Sequence, residues 1–318
     1  MKFNNETSKI VITGGSGFLG SHLLKHEMFR EALVIGRKRP KNHQHFKKLS
    51  FDANDSLAKA LKDKDILIHM AARAHVMKDT AKNPLNEYRM INTVATLNLA
   101  TQAALAGIKR FIFISSIKVL GEQTLPGQAF KNDDPFNPQD PYSISKVEAE
   151  IGLKQIGEAH DMEIIIIRPP LVYGQGVKGN FANLLRLARL PIPLPLGSIQ
   201  NKRSLVSVEN LIDLIIICLD HPNAKNQKFL VSDDDDMSTP SLFLRLAESG
   251  GYKAYIFKFP MKILNILLRT FGKLSIYERL CSSMQVDIEY TKLQLDWKPP
   301  NSVQDSLNKC WISYNDRN

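Results

Sequence analysis

Apolar and polar positions follow two rhythms along this chain, and the first half switches between them regularly. Short unbroken apolar runs at Lys9–Thr13 (KIVIT), Ala32–Ile35 (ALVI), Asp65–His69 (DILIH), Phe111–Ser115 (FIFIS) and Glu163–Arg168 (EIIIIR) read as strands buried on both faces. Between them lie stretches with helical spacing: Gly20–Phe29, Ser56–Lys62, Leu85–Ala106 closed by Gly107 as a C-cap, and Tyr142–His160. Strands alternating with helices in this way predict an α/β, doubly wound parallel sheet covered on both faces. After Arg168 the rhythm breaks. A Pro- and Gly-rich segment over 169–202 leads to a strand at Ser204–Val208, an apolar helix near 209–220 and a more irregular tail. There is no internal repeat. The acidic run Asp233–Asp236 lacks the interleaved spacing of a calcium loop and reads as a solvated turn.

Composition narrows the class without naming it. Of 318 residues, 43% are hydrophobic and 23% charged, the balance of an ordinary globular enzyme. The net charge is +10, but the basic residues are scattered and not interleaved with aromatics, so a small anionic substrate is expected rather than nucleic acid. The three cysteines, Cys218, Cys281 and Cys310, form no CxxC pair and no metal-like cluster, which suits a reducing cytoplasm. No secretory signal is visible in MKFNNETSK. The longest apolar runs, Leu211–Leu219 and Ile263–Leu268, fall far short of the ~20 residues that span a bilayer, so no membrane insertion is expected. The second run lies in FPMKILNILLRTFGKL, which is read as a packed helix.

The first chemistry appears where KIVIT runs into Gly14-Gly15-Ser16-Gly17-Phe18-Leu19-Gly20 and then a helix. Gly14 permits the tight turn, Gly17 lets backbone approach a pyrophosphate, and Gly20 lets helix and strand pack closely. The helix start offers N–H groups and a positive dipole end to phosphates. This position, between a strand and a helix in a βαβ chain, supports a dinucleotide site with Phe18 and Leu19 at its edge. At the end of the second strand, where NAD-specific folds carry an acid for the ribose hydroxyl, the sequence is Gly36-Arg37-Lys38-Arg39. Arg37 suits a 2′-phosphate, so NADP(H) is preferred, with NAD(H) the alternative.

Tyr142 and Lys146 stand four residues apart on a predicted helix and share one face. A tyrosine hydroxyl has an ordinary pKa near 10, and a neighbouring cation favours the phenolate, so the pair can relay a hydroxyl proton while a nicotinamide carries hydride. Ser115 and Ser116 close the fourth strand, at the carboxyl edge where open parallel sheets hold ligands. The order glycine loop, strand-end serine, YxxxK resembles an extended short-chain dehydrogenase/reductase of the NAD-dependent epimerase/dehydratase family. The resemblance runs over nearly the whole chain through TGGSGFLG, DILIHMAA, MINTVATLNLA, FIFISS, YSISK, RPPLVYGQG and RSLVSVENL.

That resemblance implies a Rossmann domain over 1–170 with 203–230, and a smaller nucleotide-sugar-binding domain over 171–202 with 231–318. It implies Ser116, Tyr142 and Lys146 as the catalytic triad. It puts Asp52 and Ala53 at the adenine, Ala71 and Ala72 beside the cofactor, and Asn92 in the cofactor's surroundings or buried as a core polar group. Lys118, Asn180 and Phe181 would touch the sugar nucleotide, Arg203 would pair with its diphosphate, and Arg279 is a second candidate. Members commonly pair as homodimers through the 85–106 and YxxxK helices. Dehydratases of the family carry two acids after the serine, whereas this chain has Ile117 and Lys118, so loss of water from the sugar is not expected. SSIKVLGE resembles a subgroup of bacterial surface-polysaccharide and lipopolysaccharide synthesis whose members look like reductases of UDP-4-keto-6-deoxy-N-acetylhexosamine. Arg37, and Leu171 where many 4-epimerases have asparagine, tip the expectation toward that reductase. A UDP-glucose or UDP-N-acetylglucosamine 4-epimerase is the alternative. A catalytically silent NADP(H)-sensing module is a third reading, opposed by the intact Ser116, Tyr142 and Lys146.

Overall fold

The computed structural model describes residues 9–51, 57–74, 83–125 and 127–315. The strands are β1 (Ile10–Thr13), β2 (Leu33–Gly36), β3 (Phe46–Lys48), β4 (Ile66–His69), β5 (Arg110–Ile114), β6 (Glu163–Arg168), β7 (Leu171–Tyr173), β8 (Pro193–Leu194), β9 (Leu205–Ser207), β10 (Lys228–Leu230) and β11 (Tyr255–Ile256). Seven of them form one sheet in the order β3-β2-β1-β4-β5-β6-β10, with every neighbouring pair parallel. The strand order reverses at β1 and β4, whose ends stand level through Thr13 and His69. In a sheet of this kind the crevice at that reversal is where ligands bind.

Period-two side-chain alternation splits the sheet's residues between two cores. Ile10, Ile12, Ile66, Ile68 and Ile112 face one side, where they meet α1 (Phe18–Leu23) and the apolar helix carrying Leu211, Leu214 and Ile215. Val11, Leu67, Phe111 and Phe113 face the other, where α2 (Ala58–Leu61) and the long helices supply Leu61, Leu99, Ala103 and Leu153. The first long helix is α3 (Pro84–Tyr88), a π turn over Arg89–Val94, and α4 (Ala95–Leu105); α5 (Pro141–His160) is the second. Beyond them follow α6 (Asn180–Ala188), α7 (Val208–Ile217), α8 (Thr239–Ser249), α9 (Met261–Thr270), α10 (Leu274–Cys281), α11 (Glu289–Leu295) and α12 (Val303–Asn315). A third core joins Tyr173, Phe181, Leu185, Leu205, Met237, Phe243, Leu246 and Trp311. Among the described residues, no helix is long and apolar enough to cross a membrane.

Several expectations need correction. The helix expected over Gly20–Phe29 stops at Leu23, and a separate 3-10 turn forms at Glu27–Phe29, started by the His26 ring accepting from the Met28 N–H. The strand near Ser204–Val208 forms as β9 over Leu205–Ser207 and pairs with β7 in a two-stranded sheet of its own. The edge strands β3 and β10 leave no signal in the sequence, because FKK and KFL are too short to carry a period. The acidic run is not a solvated turn. Asp233 is only 8% exposed and accepts from the Tyr173 hydroxyl (2.7 Å), the Asn210 amide (2.7 Å) and the Ser207 N–H (2.9 Å). Asp234 pairs with Lys292, Asp235 with Arg245, and Asp236 with Ser204 and Gln285. Each acid ties a different part of the second half together.

Candidate active site

The glycine loop begins at the end of β1. Gly14 has φ +76, a left-handed value that favours glycine, and a side chain there would stand 2.6 Å from the Ala71 nitrogen. A side chain at Gly20 would press into the Gly14 carbonyl. Gly17 caps α1 with no side-chain bond, so the first-turn N–H groups of Phe18 and Leu19 have no partner from the cap. The loop after β4, with Ala71 and Ala72, lies beside this turn, and the Thr13 hydroxyl accepts from the Ala71 N–H at 3.4 Å. Arg37 is exposed at the end of β2, and no acid stands beside it in Gly36-Arg37-Lys38-Arg39. Asp52 and Ala53 lie outside the described residues.

Asn92 sits in the π turn and links two functional segments. Its carbonyl accepts from the Arg73 N–H (2.8 Å), and its amide donates to the Arg73 carbonyl (3.1 Å) and the Ser145 hydroxyl (3.0 Å). It thereby fixes the loop after β4 to the helix of Tyr142 and Lys146. A π turn adds a residue to a helical turn and is common at functional positions.

Helix α5 starts with a full capping box: Asp140 accepts from the Ser143 N–H, the Ser143 hydroxyl stands 3.0 Å from the Asp140 N–H, and Pro141 sits at the first helical position. This box aims Tyr142 at the end of β5. There Ser116 caps the 3-10 turn Ile117–Val119, its hydroxyl accepting from the Lys118 N–H at 3.3 Å. Burial pushes the Tyr142 hydroxyl up to about 12; the Ser116 hydroxyl works against this, and Asp140 and Tyr88 add to it. Tyr88 packs edge-on to Tyr142 at 6.1 Å, and the Arg73 guanidinium lies over Tyr88.

Lys146 lies one helical turn after Tyr142 on α5. Its ammonium, on a residue 1% exposed, donates to the Ile114 carbonyl at 2.7 Å and rests over the Phe113 ring at 3.9 Å. The frayed carbonyl at the strand end and the Phe113 face hold the cation, which burial pushes down to about 7 against the pull of Glu150. Ser115 is not a second reacting hydroxyl: it bonds Glu150 at 2.5 Å, and Glu150 is paired with Arg168 at 2.6 Å, both fully buried. Removing one partner of such a pair costs about 3–5 kcal/mol, so this cluster fixes the floor of the site.

Lys118 pairs with Asp140 (2.7 Å) and Glu122 (2.8 Å). Burial alone would lower it, but these bonds outweigh that and hold it above the ordinary lysine range. Asp140 is held below the usual carboxylate range: burial works the other way, and the bonds from Lys118 and Ser143 prevail. Arg203 is half-buried and donates to the Arg279 carbonyl, the Ser282 carbonyl and the Ser282 hydroxyl. Burial lowers its pKa, and among the described residues no carboxylate pairs with it. Arg279 meets Arg203 through backbone, with its own side chain at the surface. The Phe181 side chain, 1% exposed and stacked on Tyr173 at 5.2 Å, packs in the third core rather than lining an open surface. Asn180 opens α6. Thr13, Phe113, Asp140 and Glu150 were missed as parts of the site; only the Asp140-Pro141 helix start carried a sequence signal.

A seven-stranded parallel sheet with a glycine loop on its first strand, and Ser, Tyr and Lys at the end of β5 and on α5, defines an extended short-chain dehydrogenase/reductase. Residues 10–232 match the NAD dependent epimerase/dehydratase family, and the chain belongs to it. A UDP-glucose 4-epimerase of Vibrio cholerae is 46% identical over 308 residues, covering 94% of this chain and 93% of that protein. A UDP-glucose 4-epimerase of Mycolicibacterium smegmatis is 26% identical over 76% of this chain and 83% of its own. Among solved structures, the UDP-glucose 4-epimerase of Thermotoga maritima superposes with a TM-score of 0.76 at 20% identity, covering 97% of this chain and 99% of that one. The last likeness bears on the fold alone.

Proposed function

We propose that this enzyme is a UDP-hexose 4-epimerase that keeps NAD bound, oxidises the sugar's C4 hydroxyl and returns the hydride to the opposite face. The observation that carries this is the 46% identity to a UDP-glucose 4-epimerase over nearly both full chains, together with Ser116 just past β5 and Tyr142 in the first turn of α5. The epimerase, the alternative at the level of sequence, thus takes precedence over the reductase.

The residues present fit a dinucleotide. Gly14, Gly17 and the N–H groups of Phe18, Leu19 and Gly20 would hold its pyrophosphate, with Ala71, Ala72 and Asn92 beside its nicotinamide half. When bound, NAD supplies the hydride acceptor and donor. The chain does the rest. Tyr142 takes the C4 hydroxyl proton and returns it, Ser116 orients the oxygen, and Lys146 supplies a cation at the nicotinamide end. Lys118 and Asp140 border this position, Asn180 and Arg279 flank the sugar nucleotide, and Arg203 meets the diphosphate. Among the described residues the half-buried Arg203 guanidinium meets two carbonyls and a hydroxyl and no carboxylate, and so has charge to spare for phosphate. The third core supports a second unit for the sugar nucleotide beside the dinucleotide domain, with bounds other than 171–202 with 231–318 and 1–170 with 203–230: Leu205 joins the third core, and Met284, Val286, Ile288, Leu295 and Trp297 pack in the first. The sparse, unpaired cysteines support a cytoplasmic enzyme. A homodimer through α3–α4 and α5 completes the reading.

One observation favours a second reading. Exposed Arg37, with no acid beside it, suits the 2′-phosphate of NADPH and hence a 4-ketoreductase. Incubation with UDP-glucose and with UDP-N-acetylglucosamine, without added reductant, separates the two. The epimerase yields the 4-epimer, seen by NMR, and Tyr142→Phe loses about 100-fold or more in turnover while still binding NAD. No epimer from either sugar, with NADPH consumed on a UDP-4-keto sugar, would replace it with the reductase.

A further inference from the structure

The run FPMKILNILLRTFGKL is only half accounted for by packing. In α9, Leu264 is buried and Leu268 partly buried, and both line an apolar cleft with Leu184 and Phe243. The adjoining stripe of the helix carries Ile263, Ile266 and Leu267, all exposed, and Phe271 follows at 73% exposed. Spacings of three, four and eight residues put these four on one stripe. Lys262 and Arg269 are seven residues apart, which at 100° per residue brings them within about 20° of each other, on a second stripe beside the first. Both are exposed, and exposed Lys273 follows just past the helix. Across 249–277 the chain carries Lys253, Lys258, Lys262, Arg269 and Lys273, and no acid.

Soluble chains rarely leave such an apolar stripe bare without a use for it. A second copy is a poor occupant, because a two-fold contact would set this acid-free basic segment against itself. An apolar stripe flanked by basic side chains on a helix too short to span is the pattern of a helix lying in the plane of a bilayer surface. We propose that α9 docks on an anionic phospholipid bilayer, with Ile263, Ile266, Leu267 and Phe271 at the acyl boundary and Lys262, Arg269 and Lys273 on headgroup phosphates. The chain is then a peripheral membrane protein, whatever the reaction in its cleft. Its product would be released beside the membrane, where enzymes that transfer sugars to lipid acceptors work.

Flotation with phosphatidylcholine vesicles, with and without phosphatidylglycerol, tests this on the full chain at low salt. Binding should require phosphatidylglycerol and weaken as salt screens it. Lys262→Gln with Arg269→Gln should lower the partition coefficient about 25-fold, at about fivefold per basic residue. Ile266→Ser with Phe271→Ser should lower it about tenfold or more. Both variants change exposed positions and should keep wild-type turnover and melting temperature. Three results would overturn the proposal: wild type unbound to phosphatidylglycerol vesicles, the apolar variant bound as tightly as wild type, or a change of molecular mass in that variant that assigns the stripe to a contact between chains.

Discussion

Phe113 stands between two titratable groups, and what it does to them sets the charge of the site. The Lys146 ammonium lies 3.9 Å from its ring centre, and the His69 ring stacks nearly parallel at 5.8 Å. His69 also bonds Thr13 (2.6 Å) and Thr96 (2.8 Å). Burial pushes His69 down to about 3, helped by the charge on Lys146, so its imidazole is neutral and serves as a strut between β1, β4 and α4. The unfolded chain takes up this proton near pH 6.5, the native chain only near 3. Between those values the unfolded state holds more protons, so stability falls as pH drops from about 6.5 toward 3, by up to about 1.4 kcal/mol per pH unit. His69→Gln keeps a hydrogen-bonding side chain but no titration, and should flatten the slope by about one proton. Urea midpoints measured across this window check it; the same slope in both proteins would remove His69 as the acid-sensitive group.

Among the elements, the long helix that runs from Pro84 to Leu105 matters through its irregularity. The π turn places Asn92 where it satisfies both backbone groups of Arg73 and reaches Ser145. Asn92→Ala removes these three hydrogen bonds, each worth about 0.5–1.5 kcal/mol. The variant should therefore unfold at lower urea and bind NAD more weakly, since the loop with Ala71 and Ala72 loses its tie to α5. Normal NAD affinity at reduced stability would make Asn92 a core polar group only. The main sheet was readable because apolar runs such as DILIH and EIIIIR leave little choice but a strand buried on both faces. Tyr142 and Ser116 were readable from motif order. Other parts were not, because they depend on contacts between distant segments. The seat of Lys146 depends on a carbonyl and a ring of β5. Asp233 is drawn inward by Tyr173, Ser207 and Asn210, where a run of four acids alone suggests solvent. Phe181 follows the Pro/Gly segment as a ligand contact would, yet Tyr173 claims it for the core.

For the molecule as a whole, exposed Met90, Val94, Leu105 and Ile151 lie on the paired long helices, on the side away from the sheet. A second copy pairing there would cover them in a four-helix bundle. Light scattering should give twice the chain mass of 35.9 kDa, about 72 kDa. A single-chain mass at micromolar concentration would contradict the pairing. The central claim, that hydride leaves C4 of a UDP-hexose and comes back to the same carbon, is tested most directly with UDP-glucose carrying deuterium at C4. The account predicts a 4-epimer that retains the deuterium at C4 with no reductant supplied. An epimer whose C4 deuterium has exchanged for hydrogen, or label found only in NADPH-dependent products, would contradict it.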